Sequence, residues 1–265
     1  RTIMTTEPKF IPEDAVQVDM GGGASFSARM IDCVGYIVPS ALGYIEDDQP
    51  RMVMTPWFEK EIPFNMAAEI GTKKVITDHS TIGLVITTDG SISDIDRNEY
   101  EEAEERVINE LREIEKPFIV LLNSTYPSDS ETRKLASELL EKYKVPVIPV
   151  NCAAIDENEI KRILAEILFE FPLKEIKVNM PGWINSLEKD HWLRSSIYTC
   201  IKNSAKEIEK VNEIQQLINA LENCEYITNT EVSAINLGNG SANIKLSLEP
   251  HLFYKIMGEK SGIEI

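Results

Sequence analysis

Basic residues are in short supply: 27 Lys and Arg stand against 44 Asp and Glu, a net charge of −17 over 265 residues. Sequence-independent nucleic-acid binding draws its affinity from Lys and Arg set along phosphates. The sign of the charge argues against that class of partner, and the spread of acids favours solubility or a basic partner instead. Histidine is scarcer still, with three copies, and the four cysteines (Cys33, Cys152, Cys200, Cys224) never pair as C-x-x-C. With no C-x-x-C pair and so few histidines, a zinc or disulfide framework is not expected, and buried thiols in a reducing cytoplasm are. No run is apolar for long enough to span a bilayer, and no signal peptide pattern opens the chain. The first residue, Arg1, already lies inside the hydroxyl-rich "RTIMTTEP", which reads as an excerpt from a longer protein.

What is present is a globular balance, 43% apolar and 27% charged, enough to fill the core of one large domain or two modest ones. The middle of the chain is the most legible. "IGLVITTDG" (82–90) is an apolar run closing on turn residues. Asp96 and Glu99 then form a D-x-x-E capping signal before a helix with Tyr100, Ala103, Val107, Leu111 and Ile114 on one face. "FIVLLNS" (118–124) follows, and Ser128 with Glu131 repeats the signal before Leu135, Leu139 and Tyr143. After "VPVIPVNC" (145–152), Asp156 with Glu159 opens a third helix carrying Ile160, Ile163, Leu164, Ile167 and Leu168. Strands apolar throughout, alternating with capped helices, predict an α/β fold with a parallel sheet covered on both faces. Ligands of such sheets sit at the carboxyl ends of the strands, where Asp32, Asp89 and Asn123 are expected.

Upstream, "AVQV" (15–18) and "FSARMI" (26–31) flank "DMGGGAS" and read as a hairpin whose second strand enters the parallel sheet. A connection punctuated by Pro39, Pro50, Pro56 and Pro63 then leads to a short helix near 64–78; a link that long is usually functional or mobile. Past Phe171-Pro172 the pattern changes. "EIKVNMPGW" is extended, and Ile197, Ile201, Ile208, Val211, Ile214, Ile218 and Leu221 keep helical spacing along one long stretch. "AINLGNGSANIKLSL" reads as two strands joined at Gly238-Asn239-Gly240, and no clear stop follows. The boundary is placed near 172: residues 1–171 form the α/β domain and 172–265 a smaller α+β domain with a long helix and a β-hairpin.

The chemistry centres on "DCVGY" (32–36). In P-loop nucleoside triphosphatases an Asp ending an inner strand holds magnesium, usually through a water. A Gly three residues on offers its N–H to the γ-phosphate. Asp32 and Gly35 fit those positions, and the upstream Thr5 and Thr6 fit the loop hydroxyls that complete the metal shell. A D-x-x-G alone is weak, and a turn carboxylate at Asp32 or a solvated strand edge at Thr5 and Thr6 would look the same. The order hydroxyl loop, hairpin, D-x-x-G, then βαβ units is that of the G-protein-like (TRAFAC-type) branch with its three-layer sheet. No G-x-x-x-x-G-K-[ST] occurs; "GTKKV" (71–75) is excluded because Met66 stands where the first glycine belongs. The phosphate cradle is expected upstream of Arg1. Residues 1–265 alone should bind ATP weakly and be inactive, because backbone N–H groups and a Lys supply most phosphate affinity. Tyr36 follows the glycine where many GTPases carry a water-orienting Gln. Where guanine readers have N-K-x-D, this chain has Asn123-Ser124-Thr125-Tyr126. Tyr126 cannot pair with guanine as a carboxylate would. Asn123 either frames the base pocket or simply ends a strand.

"TIMTTEPKF", "DCVGY", "HSTIGLVITTDGSISDI", "EAEERVI" with "KPFIVLLNS", and "HWLR" together resemble the stage IV sporulation protein A family, the coat-morphogenetic ATPases of endospore-forming bacteria. The resemblance runs through the whole chain. It implies a magnesium-dependent ATPase whose hydrolysis drives self-assembly into a static layer, the basement of the spore coat, in the mother-cell cytoplasm at the forespore membrane. It maps metal and catalytic roles onto Thr5, Thr6 and Asp32. It also implies other coat proteins and a small amphipathic membrane-bound peptide as partners, the latter met by a far C-terminal region, and no nucleic acid. A scaffold with a nucleotide fold but no turnover is the alternative, and a GTP switch is disfavoured by Tyr126. Trp57-Phe58, in the long connection, suits an interface anchor or packing within its own domain.

Overall fold

The computed structural model describes residues 9–21, 24–237 and 239–262. The chain divides into two compact units, Arg1–Ile167 and Leu168–Ile265. In the first unit β1 (Lys9–Gly21) and β2 (Ala24–Asp32) form an antiparallel ladder with Val18 opposite Phe26 and Lys9 opposite Asp32. Among the described residues β2 pairs with β1 alone, so the expectation that it enters the parallel sheet is corrected. Its composition explains why. Ser27, Arg29 and Asp32 are exposed and interrupt the apolar positions, as in a solvated antiparallel ribbon rather than a strand buried on both faces.

Two short antiparallel ladders follow, β3 (Ile45–Glu46) with β4 (Gln49–Pro50) and β5 (Met52–Val53) with β6 (Ile62–Pro63). They lead into α1 (Phe64–Lys74), extended by a π-helical turn over Val75–His79. Lys116 closes that turn by donating to the carbonyls of Ile76 and Ser80, the usual use of a cation at a helix C-terminus. "GTKKV" thus belongs to a helix and its π turn.

The parallel sheet consists of β7 (Gly83–Thr88), β8 (Phe118–Asn123) and β9 (Val147–Val150), with β8 in the middle. They alternate with α2 (Arg97–Glu113), α3 (Ser130–Tyr143) and α4 (Glu157–Phe169). Val85, Phe118, Val120 and Leu122 pack with Ile108 and Leu111 of α2 and with Ala136, Leu139 and Tyr143 of α3 in one core. The other face is covered unevenly. Ile119 and Leu121 are buried, but Leu84 and Ile86 of β7 stay 37% and 58% exposed, so full cover of both faces is not realised among the described residues.

The capping signals come out differently. Asp156 and Glu159 bond each other's backbone N–H (2.8 and 3.4 Å), a complete capping box at α4. At α3 the cap is Asp129, not Ser128. At α2 the Asp96–Glu99 box is absent, because the Glu99 carboxylate accepts from the Ser40 N–H at 2.9 Å. The buried stripe of α2 runs through Glu104, Ile108 and Leu111 rather than through Tyr100 and Ile114. Glu104 is buried because Arg97 meets it at 2.8 Å and the Tyr143 hydroxyl donates to it at 2.7 Å.

In the second unit β10 (Glu175–Asn179), β11 (Ile227–Asn236) and β12 (Ser241–Leu248) form one sheet. β12 is central, parallel to β10 and antiparallel to β11. The single long helix expected here is two, α5 (Trp192–Ala205) and α6 (Ile214–Glu222). The Glu213 carboxylate takes the N–H groups of Glu209 and Lys210 at 2.6 and 3.0 Å, while Glu170 takes Lys210 Nζ and Asn212. These contacts fix a turn that Ile208 and Val211 alone do not reveal. The return brings Cys200 and Cys224 to a Cα separation of 6.4 Å, and they are joined as a disulfide, correcting the expectation of free thiols. Leu193, Ile197, Leu217, Leu221, Ile244 and Leu252 fill the core. A last helix, α7 (Pro250–Ser261), was not read from the sequence, although Pro250 in its first turn and left-handed Gly262 at its end are its signature.

Removing a carboxylate from a buried pair leaves an uncompensated cation and costs about 3 kcal/mol. Glu104→Ala should therefore lower thermal stability by about that amount, whereas Glu101→Ala at an exposed position should change it by less than about 0.5 kcal/mol. Equal melting shifts for the two variants would remove Glu104 from the core.

Candidate active site

Asp32 is the last residue of β2 and is exposed. Three residues on, Gly35 has φ +82°, and a Cβ there would meet no atom within 4 Å. The glycine is required by its left-handed backbone rather than by crowding. Its N–H donates to the Thr72 hydroxyl in the last turn of α1 at 3.0 Å, and the same hydroxyl lies 3.4 Å from the Gly35 carbonyl. Tyr36 is buried; its hydroxyl donates to Glu110 of α2, and the Arg106 guanidinium lies 4.6 Å above its ring. Arg106 in turn forks onto Glu69 of α1 with two 2.8 Å bonds. Burial, then the bond to Glu110, raises the Tyr36 pKa well above the ordinary phenol range, so the hydroxyl stays a donor. The backbone just beyond Asp32 is thus clasped by α1 on one side and α2 on the other.

A second polar group forms at the carboxyl ends of the parallel strands. Asp89, after β7, accepts from Ser91 N and Ser91 Oγ at 3.0 and 2.6 Å and from Thr132 Oγ1 at 3.0 Å. Burial pushes the Asp89 carboxyl up, but the hydroxyls of Ser124, Ser91 and Thr132 outweigh it and hold the group below the usual carboxylate range. Thr125 donates its N–H to Ser91 Oγ at 2.9 Å and its hydroxyl to Ser91 O at 3.0 Å. Asn123 Oδ1 accepts from the Cys152 N–H at 3.0 Å, tying the end of β8 to the loop after β9. Asn151 reaches back to the Thr125 carbonyl at 3.4 Å. Tyr126 is 67% exposed and places no carboxylate beside this loop.

The structure places Asp32 and Gly35 in one turn and Asn123 at the end of the parallel sheet, whereas Asp32 ends a strand outside that sheet. Thr5 and Thr6 lie outside the described residues. Thr72, Ser124, Thr132 and the Asn151-Cys152 turn were missed. For Thr72 a signal existed: Phe64, Ala68 and Thr72 share one buried helical face at a spacing of four. Among the described residues no group of three or more His, Cys, Asp or Glu gathers. An oxygen-seeking cation that takes one or two carboxylates plus substrate phosphates fits the exposed Asp32 carboxylate; a transition-metal cage does not.

A parallel α/β sheet with polar turns gathered at the carboxyl ends of its strands belongs to the α/β class whose ligands sit at that edge. Residues 1–172 match the family model "Stage IV sporulation protein A, ATPase domain", which carries a P-loop NTPase-like fold, and residues 173–265 match its middle domain. The chain belongs to the stage IV sporulation protein A family. Proteins of that name from Clostridioides difficile, Bacillus subtilis and Bacillus anthracis are 48%, 46% and 44% identical over all 265 residues. The chain spans 54% of the length of each of these curated relatives. No solved structure matches it.

Burial, and then the charge of Asp32, pushes the Cys33 thiol up to about 11. Because the neutral form is favoured, only on the order of 0.1% is thiolate at pH 8, and alkylation should stay slow until pH approaches 11. Asp32→Asn removes the repelling charge and should speed labelling of Cys33 at a given pH, read peptide by peptide by mass spectrometry. Unchanged labelling in that variant would show that the Asp32 charge does not reach the turn.

Proposed function

We propose that residues 1–171 are the core of a G-protein-like, TRAFAC-type ATPase domain and 172–265 a middle domain of a self-assembling morphogenetic protein. The turn from Asp32 to Gly35 carries the reading: an exposed carboxylate at a strand end, then a glycine in left-handed backbone whose N–H bonds a side chain of α1 rather than a neighbouring strand. Asp32, with Thr5 and Thr6, would hold Mg2+, which neutralises charge on the transferred phosphoryl group when bound. Gly35 offers its N–H to the γ-phosphate, and Asn123 stiffens the loop that frames the base. In the cell the assembly would be the basal layer of the spore coat, in mother-cell cytoplasm at the forespore surface. Other coat proteins and a small amphipathic membrane-bound peptide would be its partners. The family membership supports this reading, as does the absence of a guanine-pairing acid at Tyr126.

In the full-length protein Asp32→Asn is nearly isosteric and should reduce ATP turnover on the order of 10²-fold, by analogy with losing one preorganised electrostatic contact. Phosphate release beside a melting curve checks this; wild-type turnover would return Asp32 to a turn carboxylate. ATP should also displace a labelled nucleotide at lower concentration than GTP, because large discrimination requires a site that pairs the guanine edge. Equal or better displacement by GTP would overturn the base assignment.

A further inference from the structure

Thr72 is a polar side chain with 3% exposure in a helix that is otherwise apolar on that face. Helical Thr and Ser usually return their hydroxyl to a carbonyl of their own helix. Two residues just downstream do so: Thr77 bonds Lys73 O at 2.8 Å and Ser80 bonds Ile76 O at 3.0 Å. Thr72 does not. Its oxygen accepts the Gly35 N–H at 3.0 Å, across 37 residues of sequence, and its hydroxyl donates to the Gly35 carbonyl at 3.4 Å. The N–H assigned above to the γ-phosphate therefore already has a partner. A phosphate oxygen is a charged acceptor and binds an N–H about twice as strongly as a neutral hydroxyl, so exchange of one for the other is favourable.

We propose that Thr72 is a positioning residue that holds the Gly35 N–H until the γ-phosphate of a nucleoside triphosphate takes it. This rests on the ATPase reading of the same turn. The exchange imposes a cost on triphosphate that diphosphate does not meet, since a diphosphate has no γ-oxygen to claim the N–H. It also removes the direct bond between α1 and Gly35, leaving the Glu69–Arg106 pair as the remaining tie from α1 to this segment. The neighbouring residue on that helix, Gly71, is covered by the Trp57 ring; a Cβ there would come within 3.3 Å of it, and Lys74 lies 5.7 Å from the ring centroid. Trp57 rides on the helix that Thr72 anchors, so release of Thr72 reaches the long connection directly.

The test compares dissociation constants of a non-hydrolysable ATP analogue and of ADP for full-length wild type, Thr72→Val and Thr72→Ser. Valine keeps the shape and removes the acceptor for the Gly35 N–H together with the weaker donor to the Gly35 carbonyl. A net hydrogen bond is worth roughly 0.5–1.5 kcal/mol, so Thr72→Val should bind the analogue about 3- to 10-fold more tightly. ADP affinity should stay unchanged, and Thr72→Ser should restore the wild-type ratio. A wild-type ratio in Thr72→Val, or equal shifts for both nucleotides, would overturn the role. Should the valine variant fail to fold, hydrogen exchange on the wild-type peptide around Gly35 decides: protection without nucleotide supports the bond, and rapid exchange sinks it. A wild type that binds neither nucleotide would instead remove the ATPase reading, and this role with it.

Discussion

The burial of β8 is the constraint from which the first unit follows. Ile119, Val120 and Leu122 have no solvent exposure, and Phe118 and Leu121 have almost none. A strand with no wet face must satisfy its backbone through neighbours on both edges, which β7 and β9 supply in parallel register. Parallel neighbours require crossover helices, and Val120 and Leu122 meet both α2 and α3 in one core. Polar atoms are then excluded until the strand ends. The first ones, at Asn123 and Ser124, bond at once to the Cys152 N–H and to the Tyr126 N–H. The polar turns gather at the carboxyl edge because the apolar strand forbids them anywhere earlier.

How much of this was legible depended on whether a residue's partner was near in sequence. The three parallel strands and their helices could be read because apolar period and caps are local signals. The Asp156–Glu159 box formed as written for the same reason. The identical pattern at Asp96 and Glu99 failed because the Ser40 backbone, remote in sequence, claimed the Glu99 carboxylate. Glu104 lies outside the apolar face read for α2 and is buried all the same, since Tyr143 and Arg97 converge on it. The break between α5 and α6 was hidden because isoleucines continue at helical spacing through a turn held by Glu213 and Glu170. Asp32 and Gly35 were visible as a motif, but the partner of the Gly35 N–H was not. A lone threonine in an amphipathic helix carries no local sign of what it will accept from.

Tyr36 follows from the same geometry. Where the G-protein-like class often carries a glutamine after this glycine, the side chain can swing toward an attacking water. Tyr36 has no such freedom. Its ring is buried beneath Arg106, and its hydroxyl is committed to Glu110. Arg106 is itself clasped by Glu69 on α1 and lies 3.5 Å from Glu110 on α2. Releasing the tyrosine would break a stacked cation and leave a partly buried carboxylate short of a donor, and both losses oppose it. The residue therefore serves as an anchor for the turn rather than as a positioner of water. An anchored Tyr36 also gives the Gly35 peptide a fixed point to pivot on. With the downstream side held by Glu110 and Arg106, the change of partner proposed for the Gly35 N–H would be a local rotation, with α1 still tied to Arg106 through Glu69.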